Sequence, residues 1–118
     1  MLLWKNGGFN HNTGTIDWQN IGPIGAGTGP GIGVRFADIN GDGKADYLMV
    51  SADGSVDGYL NIGPTPEHVW LWVRQSTTAG GVGRPRQDIH FADLDGDGRA
   101  DYIYVNRLTG AAQAWRNG

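Results

Sequence analysis

Two stretches of this chain gather oxygen-bearing side chains at the spacing a hard cation requires: Asp38-Ile-Asn40-Gly-Asp42-Gly-Lys44-Ala-Asp46 and Asp93-Leu-Asp95-Gly-Asp97-Gly-Arg99-Ala-Asp101. Carboxylate or amide oxygens stand at positions 1, 3, 5 and 9 of each, with Gly at position 6. Ca2+ takes about 6 to 8 oxygens at roughly 2.3 to 2.6 Å. Three or four carboxylates crowded this closely repel one another unless a cation lies between them. The expected chemistry is calcium coordination, with one ion in each loop.

The elements that must position these loops emerge from the repeat they mark. Arg35 to Val50 aligns without a gap on His90 to Val105, with 10 of 16 positions identical. A second motif keeps nearly the same beat: Trp4-Lys-Asn6-Gly7, Tyr59-Leu-Asn61-Ile-Gly63 and Trp115-Arg-Asn117-Gly118, spaced by 55 and 56 residues. Such periods are the signature of repeat architectures. Within a period the β-branched and aromatic runs are too short for helices and read as strands: Val34 to Ile39, Tyr47 to Ser51, Ser55 to Asn61 and Val69 to Val73. The Ala52-Asp53-Gly54 turn separates the second from the third, and the Gly-rich passage from Thr78 to Gly83 leads to the next acidic loop. Before the first loop come a Trp-x-Asn-Gly strand, a strand over Thr15 to Ile21 and the Gly-rich stretch Gly22 to Gly33. The expected fold is all-β, with propeller-type blades of four antiparallel strands, nine strands and about two blades. Residues 1–33 form a partial blade, 34–88 a full repeat, and 89–118 a second repeat ending after its third strand.

Composition narrows the function classes. In 118 residues there are 21 Gly and no Cys, so neither disulfides nor thiolate chemistry contribute. Seven of the eleven Asp sit in the two loops, so the acidity is local, and two bound Ca2+ ions would turn the formal net charge of −3 positive. The acidic balance therefore gives no argument about a partner's charge, and nothing points to nucleic acid. No run approaches the roughly 18 apolar residues of a membrane span.

Other readings of the loops fit less well. An EF-hand places a bidentate Glu at position 12 and flanks its loop with helices, whereas position 12 here is Met49 or Tyr104, inside β-like runs. A dockerin's loops also lead into helices and lie closer together. Solvated Asp-Gly turns without an ion would not need two register-matched copies of four oxygen residues. Gly25 to Gly33 matches neither Gly-x-Gly-x-x-Gly nor a Walker lysine pattern. His11, His68 and His90 are isolated from any nucleophile motif, so no catalysis is expected.

The Phe-Ala-Asp-x-Asx-Gly-Asp-Gly-x-Ala-Asp-Tyr motif, followed by a Trp-x-Asn-Gly strand, resembles the FG-GAP or VCBS repeat of integrin α-subunit-like propellers. The resemblance implies that the calcium loop joins the first two strands of a blade. It further implies side-chain ligation by Asp38, Asn40, Asp42 and Asp46 with the carbonyl of Lys44, and by Asp93, Asp95, Asp97 and Asp101 with the carbonyl of Arg99. The second loop carries one more carboxylate and is expected to bind more tightly.

The aromatics Trp4, Tyr59 and Trp115 are expected to fill repeated positions between packed sheets. Trp70 and Trp72 point to one side of a strand and are the candidate ligand-binding residues. The expected function is a calcium-binding, lectin-like module that recognises carbohydrate or protein. The alternative is a structural accessory of a larger secreted esterase, peptidase or glycoside hydrolase. Extracellular calcium favours a secreted location as part of a larger precursor, and self-association into a closed ring would cover open blade edges.

Overall fold

Alternating aromatic or β-branched residues and Gly-rich turns give a chain of strands in the computed structural model, which describes residues 1–67 and 69–118. His68, and the side chains of residues 76 and 77, lie outside the described residues. The strands are β1 (Leu2–Asn10), β2 (Thr15–Pro23), β3 (Val34–Ala37), β4 (Asp46–Val50), β5 (Val56–Pro64), β6 (Trp70–Ala79), β7 (Ile89–Ala92), β8 (Asp101–Val105) and β9 (Ala112–Trp115). They account for half of the chain. Two single 3-10 turns, Gly31–Gly33 and Arg86–Asp88, precede β3 and β7.

Among the described residues every pairing is antiparallel between chain neighbours, giving three separate sheets in the orders β1-β2, β3-β4-β5-β6 and β7-β8-β9. The all-β expectation holds, with open sheets of the kind a propeller stacks as blades. The internal repeat is visible in the register. Tyr47 faces Phe36 and Tyr59 across β3-β4-β5, and Tyr102 faces Phe91 and Trp115 across β7-β8-β9. Each tyrosine packs edge-on against its neighbours at 5.5 to 5.7 Å.

Strand β6 is longer than its sequence suggests. After three register shifts Val56 pairs with Ala79, so the Thr77-Thr78-Ala79 segment continues the strand and the Gly-rich connection begins only at Gly80. Threonine suits a pleated strand, and the partner strand β5 supplies the hydrogen bonds that keep it extended.

The core lies between the second and third sheets, where Leu48, Val50 and Val56 meet Ile89 and Tyr102. All five residues of β4 are buried. Its alternation places Leu48 and Val50 on the side facing the third sheet and Tyr47 and Met49 on the other. That other side is covered by Trp72, whose ring lies 6.1 Å from Tyr47, and by the 24–33 connection, where Gly29 and Gly33 abut Met49. The β1-β2 hairpin is by contrast largely exposed, leaving Trp4, Phe9 and Trp18 open. Trp115 is also 43% exposed, although its ring meets Tyr102 edge-on.

Candidate metal centre

Both acidic loops connect the first two strands of their sheets, β3 to β4 and β7 to β8. Gly at positions 4 and 6 lets each loop coil tightly: Gly41 and Gly43 have φ of 78° and 84°, and Gly96 and Gly98 have 77° and 88°. Those dihedrals strain any residue with a Cβ. The sequence motif singled out position 6, but the backbone shows that position 4 carries the same demand.

The coil turns amide donors inward onto the acidic side chains. Asp38 Oδ1 accepts from the amides of Gly41 and Asp42, at 2.7 and 3.2 Å, and Oδ2 accepts from Gly43 at 2.8 Å. Asp93 repeats these bonds with Gly96, Asp97 and Gly98, at 2.8, 3.2 and 2.9 Å. Asn40 and Asp95 each accept from the residue two further on. Asp42 and Asp97 accept from the amides of Lys44 and Arg99, both at 2.9 Å. These amides hold both carboxyls below the ordinary carboxylate value against a smaller opposing desolvation, helped by the neighbouring Lys44 and Arg99 cations.

Position 9 differs from the rest. Asp46 is 0% exposed and Asp101 2% exposed, each opening an inner strand of its sheet. Asp46 Oδ2 accepts from Ile39 N and Oδ1 from Asn61 N; Asp101 accepts from Leu94 N and Asn117 N in the same way, all at 2.8 to 3.0 Å. A buried carboxylate is stable only when paired or hydrogen-bonded. Asp46 binds its loop to Asn61 of β5, and Asp101 binds its loop to Asn117 just after β9. The Trp-x-Asn motif thus supplies the amide that closes the site, a role its spacing alone did not disclose.

Among the described residues, one set of three carboxylates converges: an oxygen from each of Asp93, Asp95 and Asp101 lies within 4.8 Å of the others. Oxygens 2.3 to 2.6 Å from one ion are at most about 5 Å apart, and an all-oxygen donor set is what a hard cation selects. The donors therefore fit Ca2+. Asp97 is turned toward Arg99, with its Oδ2 3.2 Å from Nη2, as Asp42 is turned toward Lys44 at 3.4 Å.

The two loops also touch. Ala100 N donates to Asp38 O at 2.7 Å, Asn117 Nδ2 donates to Ile39 O at 2.7 Å, and the Arg99 stem lies over Gly41. Trp70 and Trp72 stand elsewhere, with both indoles engaged. Trp72 Nε1 donates to Ile24 O at 2.8 Å, fastening the connection after β2. Trp70 Nε1 donates to Asn61 Oδ1 at 2.9 Å, and its ring lines a cleft of about 440 Å3 with Leu3, Lys5, Ile21 and Pro64. Trp70 thus faces that cleft, while Trp72 packs against Tyr47.

Residues 38–104, more than half of the chain, match the family model of the FG-GAP-like repeat. No match to a curated protein or to a solved structure was found. With two register-matched acidic loops, each joining the first two strands of an antiparallel sheet, the chain belongs to the FG-GAP-like repeat family.

Proposed function

We propose that this chain is a calcium-stabilised, non-catalytic propeller module of a secreted protein, which presents its blades to a carbohydrate or protein ligand. The observation that carries the metal reading is the convergence of Asp93, Asp95 and Asp101, in a loop whose twin is built on the same hydrogen bonds. Asp38, Asn40, Asp42, Asp46 and the Lys44 carbonyl would hold one ion. Asp93, Asp95, Asp97, Asp101 and the Arg99 carbonyl would hold the other. A bound ion supplies positive charge among carboxylates that otherwise repel. Family membership supports a repeat module used in interactions rather than catalysis. No helix among the described residues is long and apolar enough to cross a membrane.

The units of this module are residues 1–33, 34–88 and 89–118. Its ligand would meet Trp70 at the cleft beside Pro64, where an apolar wall and the Lys5 ammonium stand together. A second reading, an accessory part of a larger secreted hydrolase, draws on the first hairpin. Trp4, Phe9, Ile16 and Trp18 lie exposed there, as expected of a sheet that packs on other parts of a parent protein.

Calorimetric and thermal titration with Ca2+ tests the metal reading. Each site filled at a hundredfold excess over its Kd stabilises the fold by about 2.7 kcal/mol. The melting temperature should rise with Ca2+ and fall with chelator. Absence of both heat and shift would sink the proposal.

A further inference from the structure

The two halves of the repeat differ at two positions that answer each other. Register places Tyr47 opposite Tyr59 and Tyr102 opposite Trp115, so Leu60 and Arg116 occupy the same place, one residue further along. The next residues confirm the match. Asn61 N and Asn117 N donate to Asp46 Oδ1 and Asp101 Oδ1 at 2.8 and 2.9 Å, and their Nδ2 atoms reach Ala45 O and Ala100 O. At position 3 the first loop has Asn40 and the second has Asp95. Where the loop gains that carboxylate, the neighbouring strand gains a guanidinium. Arg116 Nε pairs with Asp95 Oδ2, and Nη2 stands 4.0 Å from Asp97 Oδ2.

We propose that Arg116 is a built-in counter-cation of the second loop that lowers its calcium affinity to the level of the first. The proposal rests on the calcium reading above. The first loop offers three carboxylates, with apolar Leu60 at the register place of Arg116; the second offers four, with Arg116 paired to Asp95. The fourth carboxylate on its own would strengthen the second site, since ligand charge tunes affinity. Arg116 opposes this in two ways. Its charge repels an incoming divalent ion, and its Nε holds one of the two Asp95 carboxylate oxygens. The Arg116 side chain is 69% exposed, so both effects are screened by water and salt and their size is modest.

The test is calorimetric titration of the whole chain with Ca2+ at low ionic strength, for wild type, R116L, D95N and the D95N/R116L double variant. Leucine is what the first repeat carries at this place, and R116Q serves as a polar control for folding. Wild type should show two sites of similar affinity. R116L should tighten one of them about three- to tenfold, and it should be the site that D95N weakens. The gain should shrink in the D95N background, because the two residues act as a pair, and it should fade in high salt. The transplant N40D should tighten the first site, and N40D/L60R should return it toward wild type. Calcium binding by wild type with both constants unchanged in R116L overturns the role of Arg116 and leaves the calcium reading intact. No calcium binding by wild type overturns both.

Discussion

The amide of Ala100 donates to the backbone carbonyl of Asp38 at 2.7 Å, so the last turn of the second acidic loop is bonded to the first residue of the other. The two candidate metal loops are therefore joined backbone to backbone across neighbouring sheets. Asn117 reinforces that join: its Nδ2 reaches both Ile39 O at 2.7 Å and Ala100 O at 3.2 Å.

Replacing Asn117 by Ala removes a donor shared by two carbonyls of different loops. The expected cost is about 1–2 kcal/mol, read as a lower midpoint in urea unfolding. The Asn117 backbone amide still reaches Asp101, so the loss belongs to the side chain. An unchanged midpoint would show that water replaces these bonds without penalty.

Tyr102 offers a pH-dependent test of the join between the second and third sheets. Its buried hydroxyl donates to Gly54 O at 2.7 Å. Burial raises the phenol above its ordinary value of 10.0, with a further push from the Asp53 carboxylate. A group whose folded pKa exceeds its unfolded one favours folding fully below the unfolded value. That stability should therefore be intact below about pH 10 and lost as the pH rises through the folded pKa. Y102F should cost about 1–2 kcal/mol at neutral pH and should flatten the alkaline decline.

Arg35 ties the start of β3 to the next unit. Its guanidinium donates to Arg86 O and Ile32 O, both at 3.0 Å, and to Ile89 O at 3.4 Å. A planar fork spans such carbonyls where a single ammonium does not. R35K should therefore destabilise nearly as much as R35M, by about 1–3 kcal/mol. A lysine variant as stable as wild type would show that charge alone suffices.

Trp72 and Trp70 should separate by phenotype. Trp72 covers Tyr47 and holds Ile24 O, so W72A should cost about 3 kcal/mol and expose residues 22–33 to limited proteolysis. W70A opens the cleft beside Pro64 and removes one indole hydrogen bond to Asn61 Oδ1. If that cleft binds ligand, glycan-array or protein-ligand binding should be lost while the melting temperature falls less than in W72A. Equal destabilisation by both would assign Trp70 to structure.

Much of this molecule was legible in the chain because its signals are local. The acidic loops span nine residues, the turn chemistry of Gly43 and Gly98 sits inside them, and the short apolar run Tyr47–Val50 needs no partner to be read as a strand. Less legible were Asp46 and Asp101. They look like two more acidic ligands in the motif, yet each is buried and fastened through Asn61 of β5 or Asn117 just after β9. Trp70 and Trp72 share a strand face by parity, but their indoles are directed to different acceptors by Asn61 and Ile24.

By itself the sequence determined the strand order, the repeat period and the oxygen-rich donor set, since each follows from backbone dihedrals and side-chain types within a few residues. Only the tertiary structure decided that the two loops touch, that Tyr102 seals Gly54 and that Arg116 stands over Asp95. These contacts join residues 62, 48 and 21 positions apart. They exist only once strand pairing within the third sheet and packing between sheets have brought distant residues together, and no local propensity encodes that.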